Sequence, residues 1–596
     1  MKLSKDFFYT IKDNVSEEET NSGKLLVKSG MIKKVSNGVY LKTPIGLKVM
    51  ENIEKIIRKN MEEVGVSEVS MPTLLPMELF EKTERKEAIE EEAFCVKDKH
   101  NRGYILGSTY EELSVQIAMN KIKSYKDLPL SIYQIGTKYR NESEPKLGLI
   151  RLKEFTMKDA YSFDKDSEGL DKSYKTMIEA YKKIFKDLGI EYIIVNADTG
   201  ITGGTKSDEF QALIKIGEDT LVICDKCDYA ANIEISKNGN KIEESTEKEE
   251  EMETIFTPHA GTIEELATFL GMPASSFVKT MIYEIDGKFY ACMVNGDRDI
   301  NETKLARLLN ATNIKLAELE DVRKITKAEI GFAGPVGLEI PVILDEELQN
   351  KKNFIVGANK TDHHIKNVNL KDFKIEIIAD IKKVKEGDLC PKCGGKLVFK
   401  KGVEIGNIFK LGTKYSESLG LNYLGDDNKP HPVEMGSYEL GLDRILSIIV
   451  EQNSDERGIV WPINVAPYKV AIIVIKPEDE EQSKLAEKLY NTLNELGIET
   501  VKCKQLVGEN GWSKCTLRDG DRIFGDYNEG GVRGKTPYIL DRFDLEYMKE
   551  FDFVHTGNYC YTESQLKVMK EAGIKISFDF SDDSSKEYYE KYDLRP

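Results

Sequence analysis

Apolar residues recur every three to four positions over residues 46–64 (GLKVMENIEKIIRKNMEEV), which predicts an amphipathic helix. A short apolar run follows, VSEVSMPTLLP, interrupted by Pro72. Between Lys138 and Phe163 (KYRNESEPKLGLIRLKEFTMKDAYSF) the pattern changes to alternation on either side of a polar stretch holding Pro145 and Gly148, which predicts two antiparallel strands joined by a loop. Arg140 and Glu142 are two residues apart, so on a strand they share a face. An arginine there can grip a phosphate or carboxylate with two donors, while the carboxylate accepts from an amine. On spacing alone, a surface hairpin with exposed ion pairs is the simpler explanation. Helix-like and strand-like segments alternate over residues 262–309, as in a compact α/β domain. The run ILSIIVEQ reads as a helix, and APYKVAIIVIKPEDEEQSKLAEKLYNTLNELGIETV as strand, amphipathic helix, strand. Beyond Lys502 the pattern predicts a hairpin around Asp519-Gly520, then FDFVHTGNY, the helix-like ESQLKVMKEAG and the strand-like IKISFDFSDD.

At 596 residues the chain exceeds one core and implies several domains. With 32% charged and 40% hydrophobic residues it reads as a soluble globular protein. Its start, MKLSKDFFYTIKD, is too interrupted by charge for a signal sequence, and no long uncharged apolar run could span a membrane, so a cytoplasmic address is expected. A formal charge of −18 excludes a general nucleic-acid coat but leaves room for a local basic groove. Cysteine changes the picture more. Four of the nine stand in two CxxC pairs, Cys224/Cys227 and Cys390/Cys393, which in a reducing compartment point to metal rather than to disulfides. Four thiolates suit tetrahedral zinc, and one site closed across both pairs would clamp the ends of the segment between them; two unrelated pairs of free thiols is the alternative. The acidic run SKNGNKIEESTEKEEEMET reads as a solvated linker.

The stretch SGMIKKVSNGVYLKTPIGLKVMENIEKI, followed by MPTLLP, resembles the opening of bacterial-type prolyl-tRNA synthetases, in which this helix and strand form motif 1 of the class II aminoacyl-tRNA synthetases and build a dimer interface. LGSTYEELSVQIAMNKIKSYKDLPLSIYQIGTKYRNE is similar to that family's substrate loop and motif 2. The resemblance implies that Thr109 and Glu111 bind the amino acid and that Arg140 takes the α-phosphate with Glu142 beside it. It places Lys158, Asp159 and Tyr161 of MKDAYSF at the proline pocket, with Ser207 and Glu209 of GGTKSDEFQAL in its wall. Motif 3 is met by MGSYELGLDR, which implies Arg444 on the γ-phosphate and Gly441 allowing close approach to ATP. Arg151, Glu404 and the run KLGTKYS with Thr413 match positions near the nucleotide and its magnesium. The catalytic roles fall to Arg140, Glu142 and Arg444.

The segment between Cys224 and Cys393 resembles the family's editing insertion, which hydrolyses alanine wrongly attached to proline tRNA. Lys279 matches its essential lysine, Gly331, Gly334 and Pro335 of GFAGPVGL one loop, and His363 and His364 of VGANKTDHH another. The physical need is plain, because a pocket shaped for proline also admits the smaller alanine. Several positions depart from the family pattern. Tyr110, Asp208 and Asn407 stand where histidines are expected, Leu152 and Lys153 where Gly-Arg is usual, and Glu439 where motif 3 has a glycine. An acidic side chain near nucleotide phosphates repels them unless a cation intervenes.

The implied architecture is a multidomain α/β and α+β protein: an antiparallel class II core, an inserted α/β editing domain and a C-terminal α/β region. Residues 1–223 would be the first part of the catalytic domain with motifs 1 and 2, 224–400 the editing insertion, 401–465 the second part with motif 3, and 466–501 the start of an anticodon-binding-like domain. Residues 502–596 resemble an internal stretch of ribokinase-like sugar kinases such as the fructoselysine kinases, without the late Gly-Ala-Gly-Asp segment that carries their catalytic base; the alternative is an atypical tail that folds as an unfamiliar anticodon domain. The implied activity is ATP- and Mg2+-dependent joining of proline to tRNA(Pro), with editing of alanyl-tRNA(Pro), in a cytoplasmic homodimer with no membrane contact. The alternatives are a divergent paralogue acting mainly as a deacylase and a non-catalytic tRNA-binding or regulatory protein.

Overall fold

The predicted helical stripe near the N-terminus forms the helix Pro44–Glu63, which buries Val49, Met50, Ile53, Ile57 and Met61. Pro44 opens it at a position where the missing N–H costs nothing. The computed structural model describes residues 7–12, 15–242, 244–311, 313–470, 472 and 479–496, and beyond these residues 512–518, 521–528, 554–557, 571–573 and 576–579. Two compact units result: Met1–Asn453 with Pro462–Lys502, and Ser454–Trp461 with Cys503–Pro596.

A nine-stranded sheet organises the first unit. In chain order its strands are β1 (Ser67–Glu68), β2 (Leu130–Tyr139), β3 (Glu154–Asp164), β4 (Tyr192–Ala197), β5 (Lys206–Leu213), β6 (Asp219–Cys224), β7 (Ala230–Asn232), β8 (Leu397–Gly412) and β9 (Glu434–Gly441). They lie side by side as β5-β4-β7-β6-β8-β9-β3-β2-β1, with β5 also paired to β8. The ladders are antiparallel except β4–β7 and β1–β2. β8 is the spine: its first residues pair with β6 and its later ones with β5 and β9. The helices Ser167–Leu188 and Leu442–Gln452 cover one face with Tyr174, Tyr181, Phe185, Ile445 and Ile448. Asp166 caps the first of them by accepting from the Gly169 N–H, and Gly189, at φ 71°, ends it in the left-handed conformation. The second is the helix expected from ILSIIVEQ.

The strands expected around the Lys138–Phe163 stretch are β2 and β3, but β2 ends at Tyr139 and β3 begins at Glu154. Arg140 and Glu142 therefore stand on the connecting loop rather than on one strand face. Leu147 and Gly148, both in the left-handed region, turn that loop; the Arg140 N–H still bonds to the carbonyl of Lys153 opposite it, but the Lys153 N–H bonds to Gly38 and the Asn141 N–H to Glu92, which ends the ladder.

Between β7 and β8 the chain builds its own sheets and cores. A five-stranded sheet holds Val278–Ile285 and Lys288–Asn295 at its centre, and a three-stranded sheet holds Glu253–Phe256, His363–Val368 and Phe354–Gly357. The helices Ile263–Leu270, Glu302–Leu309 and Leu319–Thr326 pack beside them. The acidic run is mostly exposed and irregular, as a linker would be, yet it is tied down, since Asn353 and Asn367 donate to the carbonyls of Lys248 and Glu251.

The helix expected in the 466–501 segment is Glu480–Leu496, while most of the strands expected on either side lie outside the described residues. In the second unit Trp512–Arg518 and Asp521–Asn528 form the expected antiparallel hairpin, Arg518 facing Asp521, and Val554–Gly557 pairs in parallel with Ile576–Asp579. Apart from residues 571–573, the rest of the kinase-like stretch lies outside the described residues. Among the described residues no helix is long and apolar enough to cross a membrane.

Candidate functional site

Opposite its covering helices the main sheet presents a row of polar side chains. Directly facing residues on neighbouring strands point to the same side, and the registers Glu209–Asn407, Asn407–Glu439, Glu439–Asp159 and Asp159–Gln134 place these five in one line across β5, β8, β9, β3 and β2. Asp159 is fully engaged: Lys138 Nζ lies 2.7 Å from one carboxylate oxygen, and Tyr161 Oη and Gln134 Nε2 donate to the other at 2.9 and 3.0 Å. Ser207 Oγ donates to Asn407 Oδ1 at 2.8 Å.

Glu111 hangs above this row from the first turn of the helix Glu111–Lys121, completely buried. Thr109 donates to its carboxylate, Ser437 Oγ lies 3.5 Å away and Arg85 Nη1 3.4 Å away. Arg85 is itself buried and also holds Glu112 at 3.0 Å. Tyr110 closes the side, its ring 3.7 Å from Lys138 Nζ. Gly107 makes room for it, because a Cβ there would come within 2.4 Å of the tyrosine oxygen.

A pocket beside the row is lined by Arg140, Glu142, Arg151, Glu404, Glu439, Gly441 and Arg444, with Leu152 and Phe155 among its apolar walls. Arg140 lies over the Phe155 ring at 5.3 Å and has no carboxylate within ion-pair distance among the described residues, which leaves its fork open to an anion. Glu142 instead accepts from Arg151 at 2.8 Å. Arg444 donates to the carbonyls of Ile150 and Glu404 at 2.9 and 3.0 Å and touches the Glu404 carboxylate at 3.4 Å. Burial, with the neighbouring charge of Glu404, pushes the Glu209 carboxyl up to about 8. Burial and then Glu111 do the same to Glu439, to about 8, against the pull of Arg140.

Not every expected residue joins this constellation. Lys158 faces the other side of β3, where it donates to Tyr181 Oη at 2.8 Å beneath the Ser167–Leu188 helix, and burial lowers it to about 7. Strand alternation decides this, since Asp159 and Tyr161 take the open face. Asp208 likewise points backwards, accepting from Tyr174 at 2.7 Å, and Thr413 opens the short helix Lys414–Leu419 outside the pocket lining. Lys138, Gln134, Arg85 and Ser437 were missed in the sequence. Lys138 could have been noticed from parity, because it stands two residues before Arg140 and opposite a strand rich in acids.

A second cavity, about 320 Å³, lies in the intervening segment. Lys279, Gly331 and His364 line it, together with Thr262, Thr280 and apolar side chains such as Phe277, Met281 and Ile330. Lys279 Nζ also pairs with Asp299 at 2.8 Å. His364 Nδ1 lies 2.7 Å from Thr257 Oγ1, and burial lowers its pKa to about 4, so the ring is neutral at ordinary pH. Its strand neighbour His363 points away, against the Phe256 ring at 5.3 Å. Gly334 packs backbone to backbone on Gly357; neither it nor Pro335 lines the cavity.

At the ends of that segment the sulfurs of Cys224, Cys227, Cys390 and Cys393 all lie within 4.8 Å of one another. Cys224–Cys393 and Cys227–Cys390 are 3.5 and 3.7 Å apart, close to the roughly 3.8 Å edge of a tetrahedron with ~2.3 Å metal–sulfur bonds. The N–H groups of Lys226, Lys392 and Gly395 point at three of the sulfurs at 3.3 to 3.4 Å. The donor set fits zinc.

Residues 94–453 match the model of the tRNA synthetase class II core domain (G, H, P, S and T). The proline--tRNA ligases of Caldicellulosiruptor saccharolyticus and Caldicellulosiruptor bescii are each 47% identical over 502 residues, 84% of this chain and 88% of theirs. That of a Thermoanaerobacter species is 45% identical over 509 residues, 84% of this chain and 89% of its own. Among solved structures, a prolyl-tRNA synthetase from Cryptosporidium parvum complexed with halofuginone and AMPPNP aligns with TM-score 0.44 at 13% identity, over 82% of this chain and 66% of that one.

Proposed function

Because the chain belongs to the bacterial-type prolyl-tRNA synthetases and is an aminoacyl-tRNA synthetase with their proline–tRNA ligase activity, we propose that the Arg140–Arg444 pocket takes ATP and that the row beside it, with Thr109 and Glu111, takes proline. The observation that carries this is an anion-ready guanidinium, Arg140, and a buried carboxylate, Glu111, whose charges both reach Glu439 on the wall of the pocket. Glu111 would accept from the proline ammonium, with Asp159, Tyr161, Ser207 and Glu209 shaping the floor. The proline carboxylate oxygen attacks the α-phosphorus, and the bond to the bridging oxygen of pyrophosphate breaks. Arg140 meets the charge that develops there and Arg444 the γ-phosphate. Glu404 and Glu142 supply carboxylates suited to Mg2+, which neutralises phosphate charge. The 3′ hydroxyl of tRNA(Pro) then attacks the prolyl carbonyl and AMP leaves. The test is proline-dependent ATP–pyrophosphate exchange, which needs no tRNA: the chain should support it, and Arg140→Ala should lower it by about 10²–10³-fold. Wild-type protein at background would sink the assignment of this pocket.

The cavity holding Lys279 and His364 is the proposed editing site for alanyl-tRNA(Pro), within an insertion spanning residues 224–400. Its walls are mostly apolar, with Thr262, Glu264, Lys279, Thr280 and His364 as the polar side chains among them, as suits a pocket for a small acyl group on a nucleotide. Lys279→Ala should abolish deacylation of alanyl-tRNA(Pro) while pyrophosphate exchange continues; unchanged deacylation would remove Lys279 from the site. The four cysteines are proposed to hold a structural zinc ion. Exposed Val35, Leu41 and Leu47, in the hairpin Ile32–Lys42 and at the start of the Pro44–Glu63 helix, support pairing of two copies there in a cytoplasmic homodimer. The catalytic domain is taken as 1–223 with 401–465, and 466–501 as the start of an anticodon-binding-like domain.

A further inference from the structure

Two arms carry the guanidiniums of the nucleotide pocket: the loop with Arg140 and the first turn of the Leu442–Gln452 helix with Arg444. Backbone pairing between these arms stops short of them, because the ladder of β9 with β3 ends at Gly441 and Met157. Past that end a side chain takes over. The Asp443 carboxylate accepts from the Thr156 N–H at 2.6 Å with one oxygen, and Lys42 Nζ lies 2.7 Å from the other. Thr156 follows Phe155, the ring over which Arg140 lies, and Asp443 precedes Arg444. One carboxylate therefore braces the supports of both guanidiniums.

That carboxylate is awkwardly placed for its neighbours. Asp443 lines the pocket itself, its side chain is only 2% exposed, and the ligand proposed for the pocket is a polyanion. Among the described residues Lys42 is its only ion-pair partner. Lys42 comes from outside the main sheet, as the last residue of the strand Val39–Lys42 in the hairpin Ile32–Lys42, where alternation turns Leu41 outward and Lys42 inward. The same hairpin also reaches the Arg140 arm. The Gly38 carbonyl accepts from the Lys153 N–H at 2.9 Å, and a Cβ on Gly38, at φ 75°, would come within 2.6 Å of Pro145 on that loop. The hairpin thus touches both arms, one through its backbone and the other through a charge.

Resting on the assignment of this pocket to ATP, we propose that Lys42 is a positioning residue for nucleotide binding: it neutralises Asp443, so that this carboxylate can brace the Arg140 and Arg444 arms without repelling the phosphates. Lys42 is not among the residues that line the pocket and acts through Asp443. A neutral side chain at position 42 leaves a buried carboxylate unpaired beside the triphosphate, and like charges in a partly buried cleft oppose each other more strongly than in water. Removing both charges costs less than removing one, because asparagine at 443 keeps an oxygen for the Thr156 N–H. The amino-acid end is held by other pairs, Arg85 with Glu111 and Lys138 with Asp159. Its affinity for proline is independent of Lys42.

The experiment is proline-dependent pyrophosphate exchange by the full chain, with the KM for ATP and the KM for proline measured separately. Lys42→Met is expected to raise the KM for ATP about tenfold or more, as an uncompensated charge beside the phosphates does, and to leave the KM for proline within about twofold of wild type. Lys42→Arg, which keeps the charge, and the double variant Lys42→Met/Asp443→Asn, which removes both charges, are each expected to return the KM for ATP to within about threefold of wild type. Competition against ATP identifies the part of the ligand that is sensed: Lys42→Met should weaken inhibition by ADP and leave inhibition by adenosine as it was. A purely structural role would raise both KM values together and weaken ADP and adenosine alike. Should Lys42→Met not fold, the double variant decides, since the proposal requires it to bind ATP nearly as the wild type does. An unchanged KM for ATP in Lys42→Met, an equal rise for proline, equal weakening of adenosine, or a double variant with a KM for ATP tenfold or more above wild type overturns the proposal while the pocket assignment stands. Wild-type chain without exchange overturns the assignment, and this proposal with it.

Discussion

Lys138 and Asp159 bury opposite charges in full beneath the proposed amino-acid pocket, 2.7 Å apart. Such a pair adds little net stability over apolar residues of the same shape, but losing one partner strands the other in a medium that cannot solvate it. Lys138→Ala is therefore expected to cost about 3–5 kcal/mol, read as a lower urea midpoint for the first unit; a midpoint within error of wild type would mean that water reaches Asp159. The same pair shows what the sequence could and could not reveal. The motifs put Asp159, Glu111 and Arg140 in one site, and in the fold the charges of all three reach Glu439, because residue type and order survive in a string of letters. They did not say which of three successive residues, Lys158, Asp159 or Ala160, faces the cleft. That depends on the register of β3 against β9, fixed by packing against the Ser167–Leu188 helix from outside the motif. Lys158 was misplaced for this reason and Lys138 overlooked.

At the level of elements, the spacing of each CxxC pair was legible, and so was the possibility of one shared site. Its closure was not, since it requires β6 and β8 to be neighbours, and nothing local in either strand specifies the other. The turn after β6 and the loop before β8 present their sulfurs together because Cys224 faces Leu397 in the ladder and Leu389 bridges Lys396 across the second loop. Purified chain is expected to carry one zinc per molecule by elemental analysis. Cys227→Ser and Cys390→Ser should each lose it, and chelation should lower the unfolding temperature of the unmutated chain. Full-length protein that is metal-free yet equally stable would return the cysteines to the status of free thiols. The same dependence on partners explains the loop carrying Arg140. Alternation promised a strand through Glu142, and the backbone left the ladder early because the N–H groups of Lys153 and Asn141 found other carbonyls.

For the molecule as a whole, activation needs only the cleft in the first unit, whereas charging needs the tRNA held at a distance from it. Residues 502–596 carry 15 Lys+Arg against 18 Asp+Glu, no basic surplus for backbone contacts. Replacing them at Val501 with the corresponding C-terminal region of one of the curated relatives is expected to raise tRNA charging while leaving pyrophosphate exchange as it was; equal charging by the native chain would show that its own C-terminal region does this work. The main sheet carries a different consequence, one for the order in which the chain is made. β6 and β8 are adjacent in space but separated by the whole intervening segment, so a chain emerging from the ribosome has β6 paired to β7 on one side and open on the other until β8 is synthesised. Closing so long a loop costs only about 0.6 kcal/mol for each doubling of its length, and the segment's own cores shorten it further by folding first. The cost is waiting time, during which an unpaired strand edge invites the wrong partner; slowed translation between β7 and β8 is thus the moment at which this protein is most exposed to misassembly.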